Sequence, residues 1–291
     1  MPIILSGRYG FIVWAEQTGR NGQLAGSPTW KPFGIVRDVS VRVPAGTALL
    51  RSVGILAAAG IAVVETALEA PEVTVTVEGV GVATKEVFLK AKQLPDDDPN
   101  FPNELPYLSV VFGRANEAFR LVDAKVSRLD ITAAADRYVT ATITLMGRWI
   151  ESYTKPDPLP DIPIQIFTSK EGTFSFGEVA EARININHRI DARHTIKPTP
   201  SNRPPDYLVE VMTEITGTGE FFWQTDFANF RQDVLSSIPT VTLNFVDWAT
   251  ATQRMTITLS NVKPRDATIR IPVEREITVT MDFFATDFTI T

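Results

Sequence analysis

The sequence predicts a mainly β protein made of two tandem modules, each a β-sandwich or barrel-like unit with one short flanking α-helix. The first observation behind this prediction is the alternation of apolar and polar residues in residues 119–149 and 255–285. Such alternation is typical of strands with one buried and one solvated face. The second observation is that several alternating segments recur in the same order in each half of the chain, which is the signature of an internal repeat.

The repeated segments can be aligned position by position. Ala141, Ile143 and Leu145 align with Ile277, Val279 and Met281. Residues 72–81 and 208–217 align at the same offset, and shorter segments align at slightly different offsets. Insertions in loops explain that drift. The apolar and polar positions of any two alternating segments would match by chance about half the time, but four matching segments in one order favour a duplication.

The length of 291 residues suits two ordinary domains with their own cores. Residues 1–32 are expected to form an N-terminal arm, and residues 33–152 the first module. Residues 153–163 contain four prolines and predict an extended, fairly stiff linker. The second module is expected over residues 164–291.

Each module is predicted to hold one short helix between its second and third core strands. The helices are expected over residues 84–92, capped by Thr84, and over residues 225–237, because both segments have apolar residues at helical spacing. The preceding connections differ: residues 47–70 are apolar and alanine-rich, whereas residues 191–206 are polar and proline-rich. The apolar connection fits either a strand pair or short helix in its own core, or an exposed loop that docks on another subunit.

Composition excludes several classes of function. The formal net charge of −6 argues against a general nucleic-acid binder, because neutralising phosphates requires clustered lysine and arginine. The chain has no cysteine, so disulfides, thiolate metal sites and cysteine nucleophiles are absent. The N-terminus does not resemble a signal peptide, and the longest apolar run, residues 53–64, is too short for a membrane helix. A chain made and kept in the cytoplasm, or carried in a particle, is expected.

No catalytic, cofactor or metal site is predicted. His188 and His194 lack any neighbouring catalytic motif and are interpreted as exposed or interface histidines. Residues 96–98 are three aspartates without the spacing of a calcium loop, so a solvated acidic loop is favoured. Glu274 and Glu276 are interpreted as part of a wet sheet edge rather than a glycosidase pair. The aromatic residues between 221 and 230 are interpreted as core rather than a stacking platform.

The order of these segments resembles the tail tube proteins of long-tailed, siphovirus-type bacteriophages. In the first half the resemblance rests on EVTVTVEG, TKEVFLKAK, LSVVFG and YVTATITLMGRW; in the second it rests on YLVEVMTEITG, FANFRQDVLSS, TVTLNF, MTITLSNV and EREITVTMDFFA. The resemblance implies modules whose sheets join into an inner barrel around a lumen. For a chain with two fused modules it implies trimeric, pseudo-sixfold rings that stack into a hollow conduit for phage DNA, with no enzymatic activity.

The resemblance also assigns expectations to residues and partners. The wet strand faces are expected to line the lumen, through Thr74, Thr76, Glu78, Thr142, Thr144, Glu210, Thr278 and Thr280. The apolar connection is expected to contact the next ring, through Leu49, Leu50, Val53, Ile55, Leu56 and Ile61. The expected partners are further copies of the chain and the tape-measure, terminator and distal-tail proteins; DNA is a transient passenger, and no membrane is involved. The expected location is the tail of the virion, after assembly in the host cytoplasm.

Two other interpretations stay open from the sequence. One is a related tail, baseplate or injection-system tube component. The other, from a different class, is a two-domain β-sandwich that binds glycans or acts on them. That class requires an aromatic-lined cleft with paired carboxylates, and no segment of the sequence points to one.

Overall fold

A computed structural model describes most of the chain. The described residues are 10–44, 47–51, 61–65, 69–95, 98, 102–134, 137–163, 165–168, 173–174, 177–195, 204–222, 238–247, 254–270 and 277–291. The protein is mainly β, as predicted, with one large antiparallel sheet system and one separate two-stranded sheet among these residues. No helix in these ranges is long and apolar enough to cross a membrane.

The first half of the chain contains ten strands and one short helix among its described residues. The strands are β1 (Gly10–Glu16), β2 (Lys31–Pro32), β3 (Ile35–Arg42), β4 (Thr47–Arg51), β5 (Ile61–Glu65), β6 (Glu72–Gly79), β7 (Leu108–Arg114), β8 (Glu117–Ala134), β9 (Thr140–Met146) and β10 (Trp149–Tyr153). Helix α1 (Val82–Phe88) follows β6 and continues into a 3-10 turn, Leu89–Ala91. The predicted arm takes part in the sheet, because β1 pairs along its whole length with β7.

The described residues of the second half contain eight strands. These are β11 (Phe167–Thr168), β12 (Thr173–Phe174), β13 (Gly177–Arg193), β14 (Tyr207–Phe222), β15 (Ile238–Asp247), β16 (Arg254–Arg270), β17 (Thr278–Ala285) and β18 (Asp287–Ile290). The predicted second helix, residues 225–237, lies outside the described residues.

Eight of these strands form one continuous antiparallel row, which we call the eight-stranded sheet. Its order is β3-β6-β9-β8-β13-β14-β17-β16. Its apolar face lies on the protein core, for example through Val75, Ile143 and Ile184, and helix α1 covers part of that core with Val87 and Phe88. One buried cluster spans residues of both halves, so the halves share a hydrophobic core.

The pairing order is the same in the two halves. β8 pairs with β7, β9 and β10, and β16 pairs with β15, β17 and β18. Asp123 and Asn261 both have φ of 51°, and Ser127 and Arg265 both sit at register shifts. One constant offset in residue number relates Asp123 to Asn261 and Ser127 to Arg265. The two long strands therefore bend at equivalent positions.

This correspondence corrects the alignment made from the sequence. In the pairing pattern Ile143 corresponds to Met281 rather than to Val279. Ile277, which the sequence alignment matched to Ala141, precedes β17 and is 37% exposed. The sequence alignment was displaced by one full strand repeat because side chains in a strand repeat with period two. Such a shift preserves every apolar–polar match, so alternation alone did not fix the register.

Helix α1 begins at Val82, before Thr84. Gly81 is its N-cap, so the prediction of Thr84 as cap was wrong. The Thr84 hydroxyl lies in the first helical turn and donates a hydrogen bond to the Phe33 carbonyl at 2.7 Å. Thr84 therefore ties the helix to the chain segment that enters β3.

Asp123 forms a buried anchor at the bend of β8. Its carboxylate accepts hydrogen bonds from the backbone N–H groups of Asn21 (3.0 Å) and Gly22 (2.9 Å) and from Arg148 (2.9 Å). The equivalent pair in the second half is Asn261 and Thr286, which are also hydrogen-bonded at 3.0 Å but exposed. The same contact is therefore ionic and covered in one half, and neutral and exposed in the other.

We predict that Asp123→Ala destabilises the protein far more than Asn261→Ala. Both variants place alanine at positive φ, which costs roughly 1–2 kcal/mol. Only Asp123→Ala also leaves Arg148 without its carboxylate in a covered site, and removal of one partner from a buried pair costs about 3–5 kcal/mol. Denaturant unfolding of both variants measures the difference, and equal losses would contradict the anchoring role.

Candidate functional site

The candidate site is the polar face of the eight-stranded sheet, opposite the core. Threonine dominates its centre: Thr74 and Thr144 face each other on β6 and β9, with their hydroxyls 3.3 Å apart. On the next strands Asp130 accepts a hydrogen bond from the Asn185 side chain across the β8–β13 pairing. The strand period of two places these polar side chains on one face while their neighbours fill the core.

Carboxylates outnumber guanidinium groups on the described part of this face. The acidic side chains are Asp38, Glu72, Glu78, Asp130, Glu181, Glu214, Glu220, Asp266 and Asp282. The arginines are Arg42, Arg128, Arg183, Arg189, Arg265 and Arg270. Some neutralise carboxylates on their own strand, as Arg128 does with Asp130 at 2.8 Å. With Lys263, which lies opposite Phe284, as a further cation, the nine carboxylates still exceed these cationic groups, and the balance of the described face is slightly negative.

The polar face is concave where the two halves meet. A depression of about 620 Å³ is lined by polar groups of five strands, including Arg128, Asp130, Arg183, Thr218 and Asp282. The described residues contain no group of three or more histidine, aspartate and glutamate side chains arranged to hold a metal ion.

Seven of the eight residues predicted on the wet strand faces lie on this polar face: Thr74, Thr76, Glu78, Thr142, Thr144, Thr278 and Thr280. Glu210 does not. Its side chain is 9% exposed and binds Lys125 at 2.6 Å. A register shift in the β13–β14 pairing, at Val211, moves Glu210 to the core side, and such bulges are not visible in the alternation pattern.

Three of the six residues predicted to contact another ring lie on a separate two-stranded hairpin. Leu49 and Leu50 are in β4 and Ile61 is in β5; these two strands pair only with each other among the described residues. Val53, Ile55 and Leu56 lie outside the described residues. In the sequence the hairpin lies between β3 and β6, and the equivalent residues of the second half are the paired far ends of β13 and β14.

Lys125 joins the two halves in a buried ionic cluster that the sequence analysis did not identify. Its ammonium group, on a side chain that is 1% exposed, lies 2.6 Å from Glu210 and 3.1 Å from Glu104. Glu104 also accepts a hydrogen bond from the Tyr107 hydroxyl at 2.8 Å and pairs with Arg20. Burial works against the charge on Lys125, but Tyr107, Glu210 and Glu104 together raise its pKa above the ordinary value.

Glu104 is held in its charged form by the same cluster. Burial works against its charge, but Lys125, the Tyr107 hydroxyl and Arg20 lower its pKa below the ordinary value. Lys125 and Glu104 therefore stay charged and paired at neutral pH, beside the Lys125–Glu210 contact that joins the two halves.

His188 is also buried at this junction, so of its two interpretations, exposed or interface histidine, the exposed one was wrong. Its Nδ1 lies 2.9 Å from the Thr213 hydroxyl, and the residue is 4% exposed. Burial lowers the pKa of His188, partly offset by the Ala91 carbonyl and Glu210. His194 is exposed, as predicted.

The other sequence candidates lie largely outside the described residues. These are Asp96, Asp97, Glu274, Glu276, Trp223, Phe227 and Phe230. Phe221 and Phe222 lie at the end of β14, where they pair with Val279 and Thr278 of β17. Within the part of the chain that the structure describes, these candidates form no assembled catalytic constellation.

One comparison with known proteins identifies a family. The family described as phage tail tube protein matches residues 38–283, which is most of the chain and includes all or most of every strand of the polar face. No curated protein matches the chain.

We predict that His188 makes stability depend on pH. Its pKa is lower in the folded protein than in the unfolded chain, so the unfolded chain binds the proton more readily and stability falls as the pH drops below about 6.5. His188→Gln should therefore lose less unfolding free energy than the wild type between about pH 7 and pH 5. His194→Gln, at an exposed position, is the control and should keep the wild-type slope. Parallel curves for wild type and His188→Gln would contradict this role.

Proposed function

Because the chain belongs to the phage tail tube protein family, we propose that it assembles into stacked rings whose lumen is lined by the polar face of the eight-stranded sheet. The family places the protein in the virion tail as a structural subunit of the tube. The observation that supports the lumen assignment is the acidic, threonine-rich surface spread over eight continuous strands. DNA is a polyanion, and a lining with excess carboxylates lets it pass without adhering.

The chain supplies two wall modules in this proposal. Two features support a duplicated module: the matching pairing order around β8 and β16, and the matched bends at Asp123 and Asn261. Each module gives four strands to the eight-stranded sheet. Three chains then form a pseudo-sixfold ring with six modules.

The dimensions of such a ring suit its cargo. Three chains with eight strands each close a barrel of 24 strands. With strands about 4.8 Å apart and tilted by about 40°, the backbone diameter is roughly 45–50 Å. After allowance for side chains, this lumen is wider than a DNA duplex. Closure also removes the free sheet edges that a solitary chain exposes.

The β4–β5 hairpin is proposed to contact the next ring. It pairs with no other strand among the described residues, and its sequence is apolar from residue 53 to residue 64. An apolar segment of this kind, if it lies on the surface of a free chain, marks a contact surface. The matching extension of β13 and β14 ends in a polar, proline-rich segment, so the two modules of one chain present different surfaces to the neighbouring ring. At the ends of the tube the same surfaces meet the tape-measure, terminator and distal-tail proteins.

We predict that the purified protein at high concentration forms hollow rings or tubes in negative-stain electron microscopy. Light scattering of isolated rings should give about 96 kDa, which is three times the chain mass of 32.1 kDa. Rings of six chains would contradict the two-module arrangement. A stable monomer that binds carbohydrate would contradict the tube function itself.

We predict that the hairpin tip controls stacking but not ring closure. Replacement of residues 53–60 by a short Gly-Ser turn should leave single rings and abolish long tubes, because the apolar contact between rings is lost. A matched control replaces residues 196–203, the polar segment of the other hairpin, by the same turn. Long tubes from the first variant, counted by electron microscopy, would exclude the apolar tip as the stacking contact.

A further inference from the structure

The eight-stranded sheet ends in two edges. At one end β3 pairs only with β6, and at the other end residues 263–270 of β16 pair only with β17, among the described residues. An edge strand exposes unpaired backbone N–H and C=O groups and is a template for another strand. β8 is the counterpart of β16 in the first half of the chain. Along the corresponding stretch of β8, the neighbouring strand is β13.

The joint between β8 and β13 therefore shows how a β16 edge is covered. Ile131 lies opposite Ile184, and Thr132 lies opposite Arg183. The offset that relates Asp123 to Asn261 also relates Ile131 to Ile269.

The first strands of the two modules are aligned by their bulges. Arg37 of β3 and Ala180 of β13 are the extra residues at equivalent register shifts. With these two residues superposed, Val41 corresponds to Ile184 and Val43 corresponds to Ile186. The free edge of β3 is therefore the counterpart of the β13 edge that pairs with β8.

The side chains at these equivalent positions differ in exposure, as expected if β3 lacks the second neighbouring strand that β13 has. Ile184 and Ile186, inside the joint, are 2% and 0% exposed. Their counterparts on the free edge, Val41 and Val43, are 40% and 68% exposed. Two valines on the core side of a sheet stay uncovered because no module packs beside β3.

A charge pattern repeated within the chain gives independent support. The buried pair Lys125–Glu210 closes the internal joint. The position equivalent to Lys125 is Lys263 on β16, which is exposed. Glu210 lies opposite Ile190 on β13, and the corresponding place on the first module's hairpin, opposite Thr47, is held by Glu65. Lys263 at the β16 edge and Glu65 near the β3 edge therefore hold the positions equivalent to Lys125 and Glu210, which form the ion pair at the internal joint.

We propose that residues 266–270 of one chain pair with residues 40–44, the end of β3 and the two residues after it, of the next chain in the register of the internal β8–β13 joint. Arg270 then lies opposite Ser40, Ile269 opposite Val41 and Thr268 opposite Arg42. The two exposed valines, Val41 in β3 and Val43 just after it, become buried, as their isoleucine counterparts are. The partner is a second copy of this chain, and the inference rests on the proposed ring assembly while specifying which strands close the ring.

The absence of cysteine makes disulfide crosslinking a direct test. Ser40→Cys combined with Arg270→Cys places two thiols directly opposite each other across the joint. Within one chain the two positions are separated by seven strand spacings, roughly 34 Å, so they cannot bridge internally. Assembled rings of this double variant should, after oxidation, run as covalently linked trimers on a denaturing gel and return to single chains on reduction.

A second double variant, Val41→Cys with Ile269→Cys, covers the alternate type of antiparallel pair, because neighbouring pairs differ in separation. The mismatched control is Ser40→Cys with Thr268→Cys, which is displaced by one strand repeat and should stay monomeric on the gel. Crosslinking of the control above both matched pairs would overturn the register. Rings that form normally without crosslinks in either matched pair would overturn the joint but leave the tube function intact. Failure of the cysteine-free protein to form rings would overturn both.

Discussion

The antiparallel joint between β8 and β13 is the interaction on which the rest of the structure depends. Seven residue pairs, from Glu181–Ala134 to Asn187–Arg128, join the two halves of the chain into one sheet. Without this joint the polar face would be two separate four-stranded surfaces. With it, threonines and carboxylates of both halves form one continuous wall, and the cores behind them merge into one apolar cluster.

The ionic cluster around Lys125 fixes the geometry of that joint. Burying an ammonium group with two carboxylates adds little net stability, because desolvation offsets most of the attraction. Its main effect is on specificity: a slip of the joint would take Glu210 away from Lys125 and leave the buried ammonium group with Glu104 as its remaining carboxylate. Backbone pairing alone tolerates a slip by one strand repeat, whereas a buried charge does not.

Alternation in the sequence was sufficient to predict a mainly β fold, the strands of the polar face and most of their outward residues, because strand period two is a strong local signal. It could not place Glu210, since the bulge at Val211 reverses the faces of β14 beyond it. Alternation also could not reveal that the alignment of the two halves was displaced by one strand repeat, because such a shift preserves the apolar–polar match at every position. The Lys125 cluster was not predicted for another reason: Glu210 lies 85 residues after Lys125 in the sequence and reaches it only through the joint.

The bulge at Arg37 has a consequence for the life of a chain before assembly. A newly made chain presents β3 as a partly apolar edge, which is a hazard for indiscriminate strand pairing. The bulge bends this edge, and the charged side chains of Arg37, Asp38 and Arg42 make a flat, foreign strand a poor match. In the proposed ring, the same irregularity favours a neighbouring strand of complementary shape over a flat one, so one extra residue bears on both the free edge and the proposed joint.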